Sequence, residues 1–218
     1  MTKRFRRELE RIKKQILSLG TMVEDRVRQA IRAVEDNDGV TARQIIKLDY
    51  EIDEMEVEVE EECLKILALH QPVAVDLRFL IAVIKINNEL ERIGDQAVNI
   101  AQRVGVIAKH EDFGFEYDYS PMAEKSEAML RMSLDALVNL DEKLALKVVT
   151  MDDEVDQIQK EAYDRIKSAM SIHPDQTGYL INLLLISRHL ERLADHTTNI
   201  AEEVIYLIEG EIVRHGKI

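Results

Sequence analysis

A chain of 218 residues is long enough for one domain or two, and a net charge of −13 excludes nucleic-acid binding, which rests on neutralising phosphates with Lys and Arg. Three prolines, eight glycines and few aromatics exclude a sheet protein and predict an all-α fold. The longest uninterrupted apolar run, Phe79 to Ile84, is six residues against the roughly twenty of a membrane span, so a soluble chain is expected.

The amino terminus, MTKRFRRELERIKK, lacks the apolar stretch of an export signal. Its interleaved Glu8 and Glu10 make it read as a solvated helix face rather than a lipid or partner contact. Apolar residues then recur at helical spacing from about Leu9 to Val34, where EDNDG at Glu35 to Gly39 ends a first helix. A second helix is expected from about Val40 to Leu69, stopping at His70-Gln71-Pro72, and a third from about Val75 to Lys109. Residues Glu111 to Pro121, EDFGFEYDYSP, have no helical period and read as a connection. The pattern then repeats, with helices at about Met122 to Val138, Glu142 to Ser171 and Asp175 to Glu209. The expectation is two tandem three-helix bundles related by internal duplication, residues 1–110 and 122–218, joined by a linker at 111–121. The single cysteine, Cys63, makes no internal disulfide and agrees with the reducing cytoplasm.

The duplication is most visible in LERIGDQAVNIA from Leu90 to Ala101, which returns a hundred positions later as LERLADHTTNIA from Leu190 to Ala201. The polar triplet Glu91, Asp95 and Asn99 therefore recurs as Glu191, Asp195 and Asn199, each spaced along one helix face. The second helix of each half carries another acidic pair, Asp49 with Asp53 and Asp152 with Asp156. An isolated pair means little, because a chain this acidic supplies about eight by chance. Position says more. In an antiparallel hairpin, residues equidistant from the turn stand level. The midpoints between the acidic pairs fall at Pro72 in the first half and between His173 and Pro174 in the second, so each Asp pair should face its Glu-Asp pair.

Four carboxylates at one level repel one another and call for a cation. Arg92 and Arg192, three residues before Asp95 and Asp195, could bridge them on the surface; the sharper alternative is metal. Oxygen ligands without convergent cysteines suit magnesium, manganese, calcium or iron. Asn87, Ser187, Asn99 and Asn199 extend the stripes as auxiliary candidates, whereas His189 and His196 lie off them by helical phase and read as packing residues. Asp76 reads as a helix cap, with partner docking by Asp76-Leu77-Arg78 as the alternative.

QPVAVDLRFL from Gln71 to Leu80, NNELERIGDQAVNIA from Asn87 to Ala101 and SRHLERLADHTTNIAEEV from Ser187 to Val204 resemble the PhoU family of bacterial phosphate-specific transport. The resemblance spans nearly the whole chain. It implies two sites, one of Asp49, Asp53, Glu91 and Asp95 and one of Asp152, Asp156, Glu191 and Asp195. It further implies multinuclear iron as the first expectation for the metal, with magnesium, manganese or zinc as other occupants. The function implied is that of a cytoplasmic negative regulator of phosphate uptake and phosphate-starvation signalling. Such a protein links the ATPase subunit of the phosphate ABC transporter to its sensor histidine kinase, is a homodimer, and meets the membrane only through partners. No phosphate-binding loop is visible in the sequence.

The competing readings are a helical-bundle metalloenzyme and a passive spectrin-like spacer. Ferritin-like oxidases need Glu-x-x-His pairs, and none of the six histidines has a glutamate three residues before it. A spacer has no need of level acidic quartets. The expectation is a binding protein rather than an enzyme.

Overall fold

The computed structural model describes residues 3–110 and 114–211, and among these the regular structure is helical throughout. The helices are α1 (Lys3–Glu35), α2 (Gly39–Lys47), α3 (Tyr50–His70), α4 (Ala74–Ile107), α5 (Ser120–Asn139), α6 (Glu142–Ile172) and α7 (Thr177–Glu209). A 3₁₀ turn at Pro174–Gln176 leads into α7. Residues 111–113 of the expected linker, residues 1–2 and residues 212–218 lie outside the described residues.

Each helix follows from its apolar stripe. In α1, Leu9, Ile12, Ile16, Leu19, Val23, Val27 and Ala30 recur at steps of three and four and are all buried. Asp38 starts α2 by accepting from the Val40 and Thr41 amides at 2.8 and 3.2 Å, and Asp141 starts α6 by accepting from the Leu144 amide at 3.1 Å. The preceding residues, Asn37 and Leu140, both turn left-handed, with φ of 49° and 50°. The duplication therefore extends to the helix caps.

The expected second helix is two. α2 ends at Lys47, and α3 begins at Tyr50. The cause is Arg26 of α1, a buried guanidinium that donates through Nη1 to the Ile45 carbonyl at 3.2 Å and through Nη2 to Glu51 Oε2 at 3.1 Å. It adds a second donor to the Ile45 carbonyl, which also accepts from the Leu48 amide at 3.2 Å, and holds the first turn of the next helix beside it. The corresponding position in the second half is Met129, also buried, and α6 runs unbroken.

α4 and α7 pack against each other antiparallel at the centre, with paired contacts along their length. Lys85 meets Glu203 at 3.1 Å, His196 meets Glu89 at 2.8 Å, His189 meets Gln96 at 3.0 Å and Arg103 meets Asn182 at 3.4 Å. The pairs 89 with 196 and 96 with 189 exchange under the repeat, so a pseudo-twofold axis crosses this seam. α1 and α5 also touch closely: a Cβ on Gly20 would come within 2.8 Å of Leu134 Cδ2. The buried side chains of both halves merge into one hydrophobic core. The connecting segment joins it, since Tyr119 is buried and donates to the Leu183 carbonyl at 2.6 Å.

Candidate metal centre

The quartets stand where α3 meets α4 and where α6 meets α7. In the first half the approach is allowed by Gly94, between Glu91 and Asp95, where a Cβ would lie 3.1 Å from Ile52 Cδ1. At the corresponding positions of the second half stand Ala194 and Val155, both buried, so the added methyl on one helix is matched by a smaller side chain on the other.

In each half the predicted acids stand close enough to repel one another. Burial first, and then Asp53 and Asp95, raise the Asp49 carboxyl. Glu91 is pushed up to about 6 by burial and by Asp95, Asp53 and Glu56. Burial and Asp53 likewise raise Asp95. In the second half Asp152 is pushed up to about 6 by burial and Asp195, with a hydrogen bond from Thr198 working the other way. Burial, Asp195 and Asp156 raise Glu191, while burial and Asp156 raise Asp195. These acids thus destabilise one another's charged forms.

No Lys, Arg or His among the described residues forms an ion pair with any of the eight. Arg92, the surface candidate for bridging Asp95, instead approaches Glu89 at 3.7 Å. Asp156, Glu191 and Asp195 each offer an oxygen, and these atoms lie within 4.8 Å of one another. Two oxygens on one cation stand at most about 4 to 5 Å apart, so this trio fits a single ion. Among the described residues it is the one such group, so the first quartet is looser.

The auxiliary candidates are mostly engaged elsewhere. Ser187 is buried and donates to the Leu184 carbonyl at 2.8 Å, while Asn199 donates to Glu89 Oε2 at 3.1 Å across the seam. Asn87 is fully buried and donates to the Glu56 carbonyl at 2.8 Å. Both histidines lie in the α4–α7 seam, which their phase did not foretell beyond keeping them off the acidic stripe. Asp76 lies within the first turn of α4, whose cap position is Val73 without a side-chain hydrogen bond, so Asp76 is not a cap. Sequence reasoning missed Thr198, whose Oγ1 donates to Asp152 Oδ1 at 3.2 Å. Its place one residue before Asn199 in the recurring segment was the available signal.

The PhoU domain model matches twice, at residues 16–104 and 119–204. The phosphate-specific transport system accessory protein PhoU homolog of Pseudomonas aeruginosa is 36% identical over 99% of this chain and 89% of its own length. The crystal structure of PhoU from Pseudomonas aeruginosa superposes with a TM-score of 0.92 at 36% identity, covering 95% of this chain and 100% of that one. A phosphate transport system regulatory protein PhoU from Streptococcus pneumoniae superposes with a TM-score of 0.85 at 30% identity, over 97% of this chain and 100% of that one. With the domain matched in both halves and relatives covered nearly end to end, the chain belongs to the PhoU family.

Proposed function

We propose that this protein is an accessory regulator of phosphate-specific transport whose two carboxylate quartets bind divalent or multinuclear metal. The observation that carries the metal reading is the second half's Asp156, Glu191 and Asp195, whose oxygens lie within 4.8 Å of one another with no ion pair to a basic side chain among the described residues. Bound metal would neutralise the repelling carboxylates and tie α3 to α4 and α6 to α7. Iron is the first expectation and magnesium, manganese or zinc the alternatives, since the donors are all oxygen.

The regulatory reading rests on the relatives' names together with the surface. It is negative control of phosphate uptake and starvation signalling, exerted by linking the transporter's ATPase subunit to the sensor kinase in the cytoplasm. Among the described residues no helix is long and apolar enough to cross a membrane. The exposed Tyr50, Val57 and Leu64, spaced seven apart on the outer face of α3, support a homodimer. We assign no catalytic role. The deciding experiment is elemental analysis of untagged protein purified without chelators, followed by capture of the ATPase subunit and the kinase with and without metal. Stoichiometric metal and metal-dependent capture are expected; metal-free protein that captures both equally well would overturn the metal-regulated reading.

A further inference from the structure

We propose that one end of the molecule docks directly on an anionic phospholipid surface, through the first turns of α1 and the α3–α4 turn. This inference is independent of the metal sites and of the link to transporter and kinase. It revises the sequence expectation that the basic start is only a solvated face and that the membrane is met only through partners.

Charge is sharply segregated. Between Lys3 and Lys14 stand seven Lys and Arg against two glutamates, in a chain whose net charge is −13. The two glutamates are occupied: Glu8 meets Arg4 at 3.0 Å and His70 at 2.5 Å, and Glu10 meets Lys13 at 3.2 Å. Arg6, Arg7 and Lys14 are exposed and hold no ion pair with a described residue.

The same end carries projecting aliphatic side chains. Phe5 of α1 packs on His70 at the end of α3, with ring centroids 4.9 Å apart, and Lys13 lies 5.5 Å over the Phe79 ring of α4. The α3–α4 turn is thereby held beside the basic helix. On it Leu69, Val73, Val75 and Leu77 are 59%, 74%, 60% and 39% exposed. Gln71 and Ala74 in this turn both have positive φ, 45° and 50°, a conformation that costs a residue with a Cβ. The turn thus holds aliphatics outward at a backbone cost.

Lipid fits this combination better than an acidic protein. Val73, in the turn itself, is the most exposed of the four aliphatics, which suits insertion among headgroups. Long Lys and Arg chains on the flanking helix can reach headgroup phosphates from several heights. The remaining surface, strongly acidic, would be repelled, so the charge pattern also fixes which end faces the bilayer.

The test is co-sedimentation of the full chain with vesicles of phosphatidylglycerol and phosphatidylcholine mixed equally, and with phosphatidylcholine alone. Binding to the mixed vesicles, weakened by salt and absent on phosphatidylcholine, is expected. Arg6→Gln, Arg7→Gln and Lys14→Gln combined should lower the partition coefficient roughly a hundredfold, at about fivefold per basic residue. Val73→Ser with Val75→Ser should weaken binding while leaving its salt dependence, with circular dichroism confirming that both variants fold. Failure to bind the mixed vesicles would overturn the proposal in favour of an acidic polypeptide partner. Equal binding to phosphatidylcholine, or no change in the folded triple variant, would also overturn it.

Discussion

The two halves carry the same acids at corresponding positions, yet their quartets are held differently. In the second, α6 is continuous, Thr198 holds Asp152, and three oxygens already converge within 4.8 Å. In the first, Asp49 sits in the break between α2 and α3, Arg26 braces that break, and no comparable trio forms. The position of Glu56, which adds to the repulsion at Glu91, is filled in the second half by Gln159. Duplication thus preserved donor chemistry while supports diverged. The second quartet is the better prepared to receive a cation, and the first has to be drawn together by one.

The most severe way to break this comparison is to remove two of the converged donors. Glu191→Ala with Asp195→Ala should abolish metal uptake in the second half, a loss of at least about a hundredfold in affinity, given that even outer-shell partners cost ten- to hundredfold. Calorimetric titration with manganese should then show one class of site where the parent shows two, the survivor being weaker. Retention of both classes would mean that the acids are not the ligands.

Next in size is Arg26→Met, which gives the first half the residue of the second. The Ile45 carbonyl keeps only the Leu48 amide, and both it and Glu51 lose a charged donor, a cost of about 1 to 3 kcal/mol. The melting temperature should fall, and hydrogen exchange should quicken around residues 46–51. Undiminished protection there would show that the break stands without Arg26.

These substitutions mark where the sequence was legible. The helical class and the level placement of the quartets follow from period, composition and turn position alone, because a hairpin transmits register through constant rise per residue. The break at Leu48 and Asp49 does not, because its cause is a buried arginine on another helix. The α4–α7 seam was also hidden. Its pairings of His189 with Gln96 and His196 with Glu89 depend on how one repeat docks on the other, which periodicity within a helix does not encode. Phase did correctly place both histidines off the acidic stripe.

A smaller effect should appear in the metal-free protein with pH. Glu91 and Asp152 have ordinary values of 4.5 and 3.8 and stand at about 6 in the folded chain, so the folded state holds their protons more tightly. Ionisation therefore opposes folding: the penalty is absent below the unfolded values and complete above about 6. In the presence of a chelator at pH about 7.5, Glu91→Gln and Asp152→Asn should each raise stability by something on the order of 1 kcal/mol, allowing for solvent screening. The advantage should vanish as pH falls towards 4. An advantage that persists at low pH would have another origin. Metal should reverse the sign, since a bound cation favours the carboxylates that repulsion disfavours.

The mildest substitution addresses the asymmetry most directly. Thr198 corresponds to Val98 in the first half, so Thr198→Val gives the second quartet the support its counterpart has. The lost bond, Thr198 Oγ1 to Asp152 Oδ1 at 3.2 Å, lowers the Asp152 carboxyl, which should therefore rise further in the variant. An oriented carboxylate also binds metal with less reorganisation. Affinity at the second site should fall about threefold near neutral pH, below the usual range for an outer partner because this bond is long. The first site should be untouched, so the two classes should move closer together in one titration. If both weaken equally, the quartets are coupled through the α4–α7 seam rather than supported separately, and preparedness would belong to the seam.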